Sequence, residues 1–117
     1  MTLRECYEKL NGDFEGTLGR LSSEKLVEKF VLKFLADDSF ALLEESMRAG
    51  NYSEAFRASH TLKGVGLNLG FTKLYEVSDE LTEALRNGEK PENEALLERV
   101  KEEYQRTINA IQELQNG

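Results

Sequence analysis

Residues 51–70 read NYSEAFRASHTLKGVGLNLG, and this stretch has the capping signals and the apolar spacing of one long helix. Asn51, with Glu54 three residues later, resembles a capping box in which Asn replaces Ser or Thr. Gly70 is the residue type that commonly ends a helix. We therefore predict a helix over about 51–69. The stripe predicted to face a core consists of Ala55, Ser59, Leu62, Gly66 and Leu69.

The opposite stripe of this helix holds the residues that could carry chemistry. It consists of Phe56, His60, Lys63, Gly64 and Leu67, at the offsets of neighbours on a helix surface. His60 is therefore expected to be exposed, with Lys63 and Gly64 one turn away. An exposed imidazole is a competent nucleophile near neutral pH, because one ring nitrogen is then free. If the imidazole attacked and carried a phosphoryl group, the positive charge of Lys63 would neutralise the oxygens of that group.

Two glycines in the middle of the helix need separate explanations, because each costs about 1 kcal/mol relative to alanine. Gly66, on the inward stripe, would let a neighbouring helix pack closely. Gly64 lies outward beside His60, where no packing partner within the chain is expected. Its missing side chain makes sense if a loop of another protein must approach the imidazole.

Helical spacing continues on both sides of this segment, so we predict an all-α chain. Short connections favour antiparallel neighbours, hence an up-and-down four-helix bundle over about 23–114 with one or two accessory helices. The whole chain, 1–117, is expected to form one domain. Residues 12–22, with three glycines, are expected to be irregular with up to one turn of helix. Helix 2–10 is predicted as the N-terminal accessory. A helix over 23–36 would have Val27, Phe30, Val31 and Phe34 on one face. The remaining predicted helices cover 39–49, about 74–87, and a stretch that begins near Pro91.

The composition limits the classes of partner. The chain has 22 acidic and 15 basic residues, a net charge of −7, which opposes unaided binding to nucleic acid or anionic lipid. No apolar run approaches the roughly 20 residues that cross a bilayer, and the charged N-terminus is not a signal peptide. With a lone cysteine as well, we expect a cytoplasmic protein, a monomer, with protein partners. No phosphate-binding loop and no set of metal ligands is present, so any phosphoryl group would come from a partner.

The motif His60-Thr61-Leu62-Lys63-Gly64, followed by Asn68-Leu69-Gly70, resembles the signature of the histidine-containing phosphotransfer (HPt) domain family. The resemblance spans about 23–114 and implies a stand-alone member with four antiparallel helices. It implies that His60 accepts a phosphoryl group on Nε2 from an aspartate of a receiver domain and passes it to another receiver. Lys63 would stabilise the phosphoryl group, and Gly64 would make room for it and for the partner.

The resemblance also implies a docking surface. Many members carry a Gln on the next helix that orients the imidazole, and the corresponding position here is Thr82, whose hydroxyl is shorter. We expect Phe56, Leu67 and Thr82 on the surface that meets the partner, which would be a response-regulator receiver or a hybrid sensor kinase. That partner would bring Mg²⁺, so no cofactor and no metal site are expected in this chain.

Two other functions remain open at this point. An interaction module would bind receivers without accepting phosphate, and loss of His60 or Lys63 would indicate it, but both are present. An enzyme with His60 as a general base would need a pocket and a second catalytic group within reach, whereas this helix offers only Lys63 and Gly64.

Overall fold

A computed structural model describes residues 1–117, and its regular secondary structure is entirely helical. This confirms the all-α prediction. A 3-10 turn, Phe34–Ala36, continues the third helix. The α-helices are α1 (Leu3–Lys9), α2 (Phe14–Leu21), α3 (Glu24–Lys33), α4 (Ser39–Arg48), α5 (Tyr52–Asn68), α6 (Thr72–Ala84) and α7 (Ala95–Asn116).

Helix α5 packs between α4 and α6. Its contacts with α6 run in opposite order along the two helices: Ser59 meets Thr82, whereas Gly66 meets Tyr75. The two helices are therefore antiparallel, as expected from a connection of a few residues between them.

Helix α7 closes the bundle against α6 and α4. Phe40 of α4 stacks on Tyr104 of α7 with ring centroids 4.4 Å apart. One turn along α4, Glu44 pairs with Lys101 at 3.4 Å, so α4 and α7 are also antiparallel. Helices α4 to α7 thus form a four-helix bundle over 39–116, whereas the sequence analysis placed the bundle over about 23–114 and so included α3.

The N-terminal helices pack on one end of this bundle and share its core of 22 buried apolar residues. The Tyr7 hydroxyl of α1 donates to the Leu69 carbonyl at 2.6 Å, just beyond the end of α5. Lys9 pairs with Glu113 of α7 at 2.7 Å. The Tyr7 contact ties α1 to the carboxyl end of α5, and the Lys9 contact ties α1 to α7.

The prediction of an irregular connection over 12–22 is wrong, because residues Phe14–Leu21 form helix α2. The Asp13 side chain caps this helix by accepting from the Gly16 amide at 2.9 Å. Phe14 and Thr17 are buried, and this burial offsets the low helix propensity of the glycines. Tertiary packing overrode the local signal.

Two further expectations need correction. The last helix begins at Ala95 rather than near Pro91, and the Asn93 side chain accepts from the Ala95 amide at 3.0 Å to start it. In α3, Val27 and Val31 are buried, but Phe30 is 37% exposed and lies at the edge of the inner face.

None of the helices combines the length and the apolar character that crossing a lipid bilayer requires.

Candidate functional site on helix α5

Helix α5 begins and ends at well-defined points. The Asn51 side chain accepts from the Glu54 amide at 3.3 Å, which is one half of the capping box that the sequence suggests. At the other end, the Phe71 amide donates to the Gly66 carbonyl at 2.8 Å and the Gly70 amide donates to the Leu67 carbonyl at 3.2 Å. This is a Schellman motif with Gly70 in the left-handed conformation, φ +71°.

The inward stripe of α5 is buried as predicted: Ala55, Ser59, Leu62, Gly66 and Leu69 all lie in the interior. A Cβ atom on Gly66 would lie 3.2 Å from the amide nitrogen of Tyr75 in α6. Gly66 therefore permits a close approach of the α5 and α6 backbones.

The outward stripe has a different environment. His60 is exposed, and a Cβ atom on the neighbouring Gly64 would meet nothing within 4 Å. Leu67 is 55% exposed. The ring of Phe56 lies beside the imidazole, with centroids 6.1 Å apart and planes 9° from parallel. The imidazole is thus exposed to solvent on a partly apolar surface, with free space beside it at Gly64.

Lys63, one turn from His60, is held by a carboxylate of the next helix. Its Nζ lies 2.9 Å from Oδ1 of Asp79, and the Lys63 side chain is 22% exposed. The hydrogen bond that Lys63 donates to Asp79 is the main reason why the pKa of Lys63 is raised, and the nearby Glu83 adds to the effect. The lysine is therefore a firmly protonated cation within a turn of the imidazole.

Thr82 does not lie on the surface, so its predicted place in the docking surface is wrong. It is fully buried between α6 and α5. Its hydroxyl donates to the Ser78 carbonyl at 2.6 Å and lies 2.7 Å from Oγ of Ser59. The side chain is too short to emerge from the interface, and its hydroxyl bonds neighbours there instead of the imidazole.

Two charged residues, Glu83 of α6 and Arg86 in the turn that follows it, belong to the surroundings of His60, although the sequence analysis did not single them out. The Arg86 guanidinium lies over the Phe56 ring, 5.7 Å from its centroid. Glu83 accepts two hydrogen bonds from Arg86, at 3.0 Å from Nε and 2.5 Å from Nη2. The signal in the sequence was the helical spacing of Asp79, Glu83 and Arg86, at offsets of four and three, although α6 itself ends at Ala84.

Apolar side chains are also exposed on α3. A shallow groove between α3 and α5 is lined by Phe30, Val65 and Leu69. Leu26, one turn before Phe30, is also exposed. The structure brings together no group of three or more His, Cys, Asp or Glu side chains that could hold a metal ion.

The family is decided by comparison of the sequence with known domains. Residues 31–113, from the second half of α3 to near the end of α7, match the family model of the Hpt domain. The chain belongs to the Hpt domain family. Hpt domains are histidine phosphotransfer modules of phosphorelays, phosphocarriers rather than kinases, and they interact with response-regulator receivers. Searches of curated proteins and of solved structures found no match.

Proposed function

We propose that this Hpt domain carries a phosphoryl group on His60, which it accepts from an aspartyl phosphate of one receiver domain and passes to the aspartate of another. One observation carries the proposal: the only histidine of the chain is exposed on α5, beside the open position at Gly64. A receiver loop can approach the imidazole there without displacing any part of this chain.

In the first transfer, Nε2 of His60 donates its lone pair to phosphorus and forms the N–P bond. The P–O bond to the donor aspartate breaks, and the carboxylate leaves with the bonding pair. The proton on the other ring nitrogen stays there during the transfer. In the second transfer, an aspartate oxygen of the acceptor forms the new P–O bond, and the N–P bond returns its electrons to the imidazole.

Lys63 has the charge and the position to stabilise the transferred group. It is one turn from His60, and its ammonium is protonated and held by Asp79. Phosphoryl transfer depends mainly on positioning and on cations that offset charge on the equatorial oxygens. We assign the Mg²⁺ that such chemistry uses to the receiver, whose acidic pocket would bind it, and Phe56 and Leu67 to the surface that the receiver covers.

The proposal is tested by incubating the protein with a phosphorylated receiver and Mg²⁺ and measuring acid-labile, base-stable phosphate on the chain. The wild type should acquire label, and His60→Gln should acquire none. Circular dichroism confirms that the variant is folded, which is expected because His60 is exposed. Leu67→Ala serves as a matched control on the same stripe, where label should still appear at a reduced apparent affinity for the receiver.

Equal labelling of wild type and His60→Gln would place the phosphoryl group on another residue and contradict the proposal. Binding of several phosphorylated receivers without any label on the wild type would instead favour the interaction module that binds receivers and does not accept phosphate.

A further inference from the structure

The ring of Phe56, on the same helix, lies beside the imidazole of His60. Arg86 lies over that ring and is bound by Glu83. We infer that Phe56 is a positioning residue for His60, and that Arg86, anchored by Glu83, holds the Phe56 ring in place. The inference about geometry stands on the contacts alone, whereas its consequence for transfer rests on the proposed function.

The first contact joins Phe56 to His60. The residues are four apart, so α5 itself places their side chains on one face. The rings are 9° from parallel with centroids 6.1 Å apart, within the range of offset-stacked aromatic pairs. Phe56 is half-buried and packs against the hydrophobic core, while His60 is exposed. The partly buried ring therefore limits the orientations of the exposed one.

The second contact comes from the turn after α6. The Arg86 guanidinium lies 5.7 Å from the centroid of Phe56, within cation–π distance. Glu83 binds this guanidinium by two hydrogen bonds, a forked geometry that fixes its orientation. Both partners are about half exposed, 57% and 52% for the two side chains, so the pair adds little to stability. Its geometry nevertheless covers the ring that lies beside the imidazole.

The third observation concerns the Thr82 hydroxyl, which the sequence analysis considered as a group that orients His60 by a hydrogen bond. The Thr82 hydroxyl is fully buried and is bonded to Ser78 and Ser59. Stacking on Phe56 thus takes the place of a hydrogen bond in this chain. Because stacking uses the face of the imidazole, it leaves both ring nitrogens available to a partner.

The decisive measurement is an NMR spectrum of the imidazole, combined with the rate of transfer at saturating phosphorylated receiver. The chain has one histidine, so its ring signals are unambiguous. Phe56→Leu should move these signals towards those of a free histidine and lower the saturated transfer rate about two- to tenfold, the range set by the energy of one aromatic pair. Phe56→Tyr retains the ring and should keep the imidazole signals of the wild type, which are recorded without a partner.

Glu83→Gln separates positioning from a direct action of the Arg86 charge on the phosphoryl group. This variant keeps the arginine but releases its anchor, and it should fold because Glu83 is exposed. If Arg86 acts through Phe56, the imidazole signals should shift and the saturated rate should fall. Unchanged signals with an unchanged or higher rate would overturn the anchoring role of Arg86.

Imidazole signals that are the same in wild type and Phe56→Leu would overturn the positioning role of Phe56, whatever happens to transfer. A wild type that never acquires label would contradict the proposed function instead, and the NMR comparison would still decide the geometry. The two failures are therefore distinguishable.

Discussion

The two faces of α5 contain similar residue types in opposite environments. On the inward face, Leu62 is buried and Gly66 admits the backbone of α6. On the outward face, Leu67 is exposed and Gly64 has open space around it. One pair of residues therefore stabilises the bundle, while the other leaves a surface free beside His60. The comparison separates what α5 contributes to the fold from what it presents to a partner.

The largest expected effect comes from the two leucines. Leu62→Ala should lower the free energy of unfolding by about 2–5 kcal/mol, because it leaves a cavity in the core. Leu67→Ala should change it by less than about 0.5 kcal/mol, because the side chain is already largely in water. Urea denaturation of both variants measures the difference. Similar losses for the two would mean that the faces are not distinct in stability.

The buried hydroxyl cluster tests the interface between α5 and α6. Thr82→Val keeps the shape of the side chain but removes one of the two hydrogen-bond partners of Ser59, the other being the Ser78 carbonyl, so it should cost about 0.5–1.5 kcal/mol of unfolding free energy. The matched control is Thr61→Val, since the Thr61 hydroxyl bonds only to the Arg57 carbonyl at an exposed position. That control should stay within about 0.5 kcal/mol of the wild type. An equal cost at both positions would argue against a structural role for the cluster.

Substitution by alanine should change the free energy of unfolding by different amounts at Gly64 and at Gly66. Gly64→Ala should raise the free energy of unfolding by about 0.5–1 kcal/mol, since alanine is the better helix former and nothing obstructs its Cβ. Gly66→Ala should gain less or lose stability, because its Cβ would lie 3.2 Å from the Tyr75 amide. Thermal unfolding of the pair makes the comparison. A larger gain at Gly66 than at Gly64 would contradict the close approach of α6.

The smallest expected effect concerns the ion pair between Lys63 and Asp79. Because the folded protein raises the pKa of Lys63 above its ordinary value of 10.5, the pair stabilises the fold fully below that pH. The stabilisation is lost as pH rises through the raised pKa. Asp79→Asn should therefore melt slightly below the wild type at pH 8. The gap should close at strongly alkaline pH and shrink in high salt. A gap that persists in both conditions would mean that Asp79 stabilises the fold by other contacts.

Much of α5 could be predicted from the sequence because its signals are local. The apolar spacing identified both faces, and Asn51 and Gly70 marked the ends within a residue or two. Capping and helical periodicity depend on residues within one or two turns, so they are visible in the linear chain. The motif around His60 identified the family for the same reason.

Two of the errors have a common physical cause, which is contact between segments distant in sequence. Helix α2 forms because Phe14 and Thr17 find a buried environment, although the glycines around them suggested a loop. Thr82 occupies the position where many family members carry a longer side chain, but the packing of α6 on α5 leaves its hydroxyl inside the interface.

The sequence by itself determined that the chain is helical, which residues of α5 face inward, and that His60, Lys63 and Gly64 share an exposed face. Only the tertiary structure decided that Asp79 holds Lys63, and that Arg86 with Glu83 covers the Phe56 ring beside the imidazole. Helix periodicity sets the direction of a side chain relative to its own axis. The register between two antiparallel helices sets which side chains meet, and that register depends on the packing of the whole core.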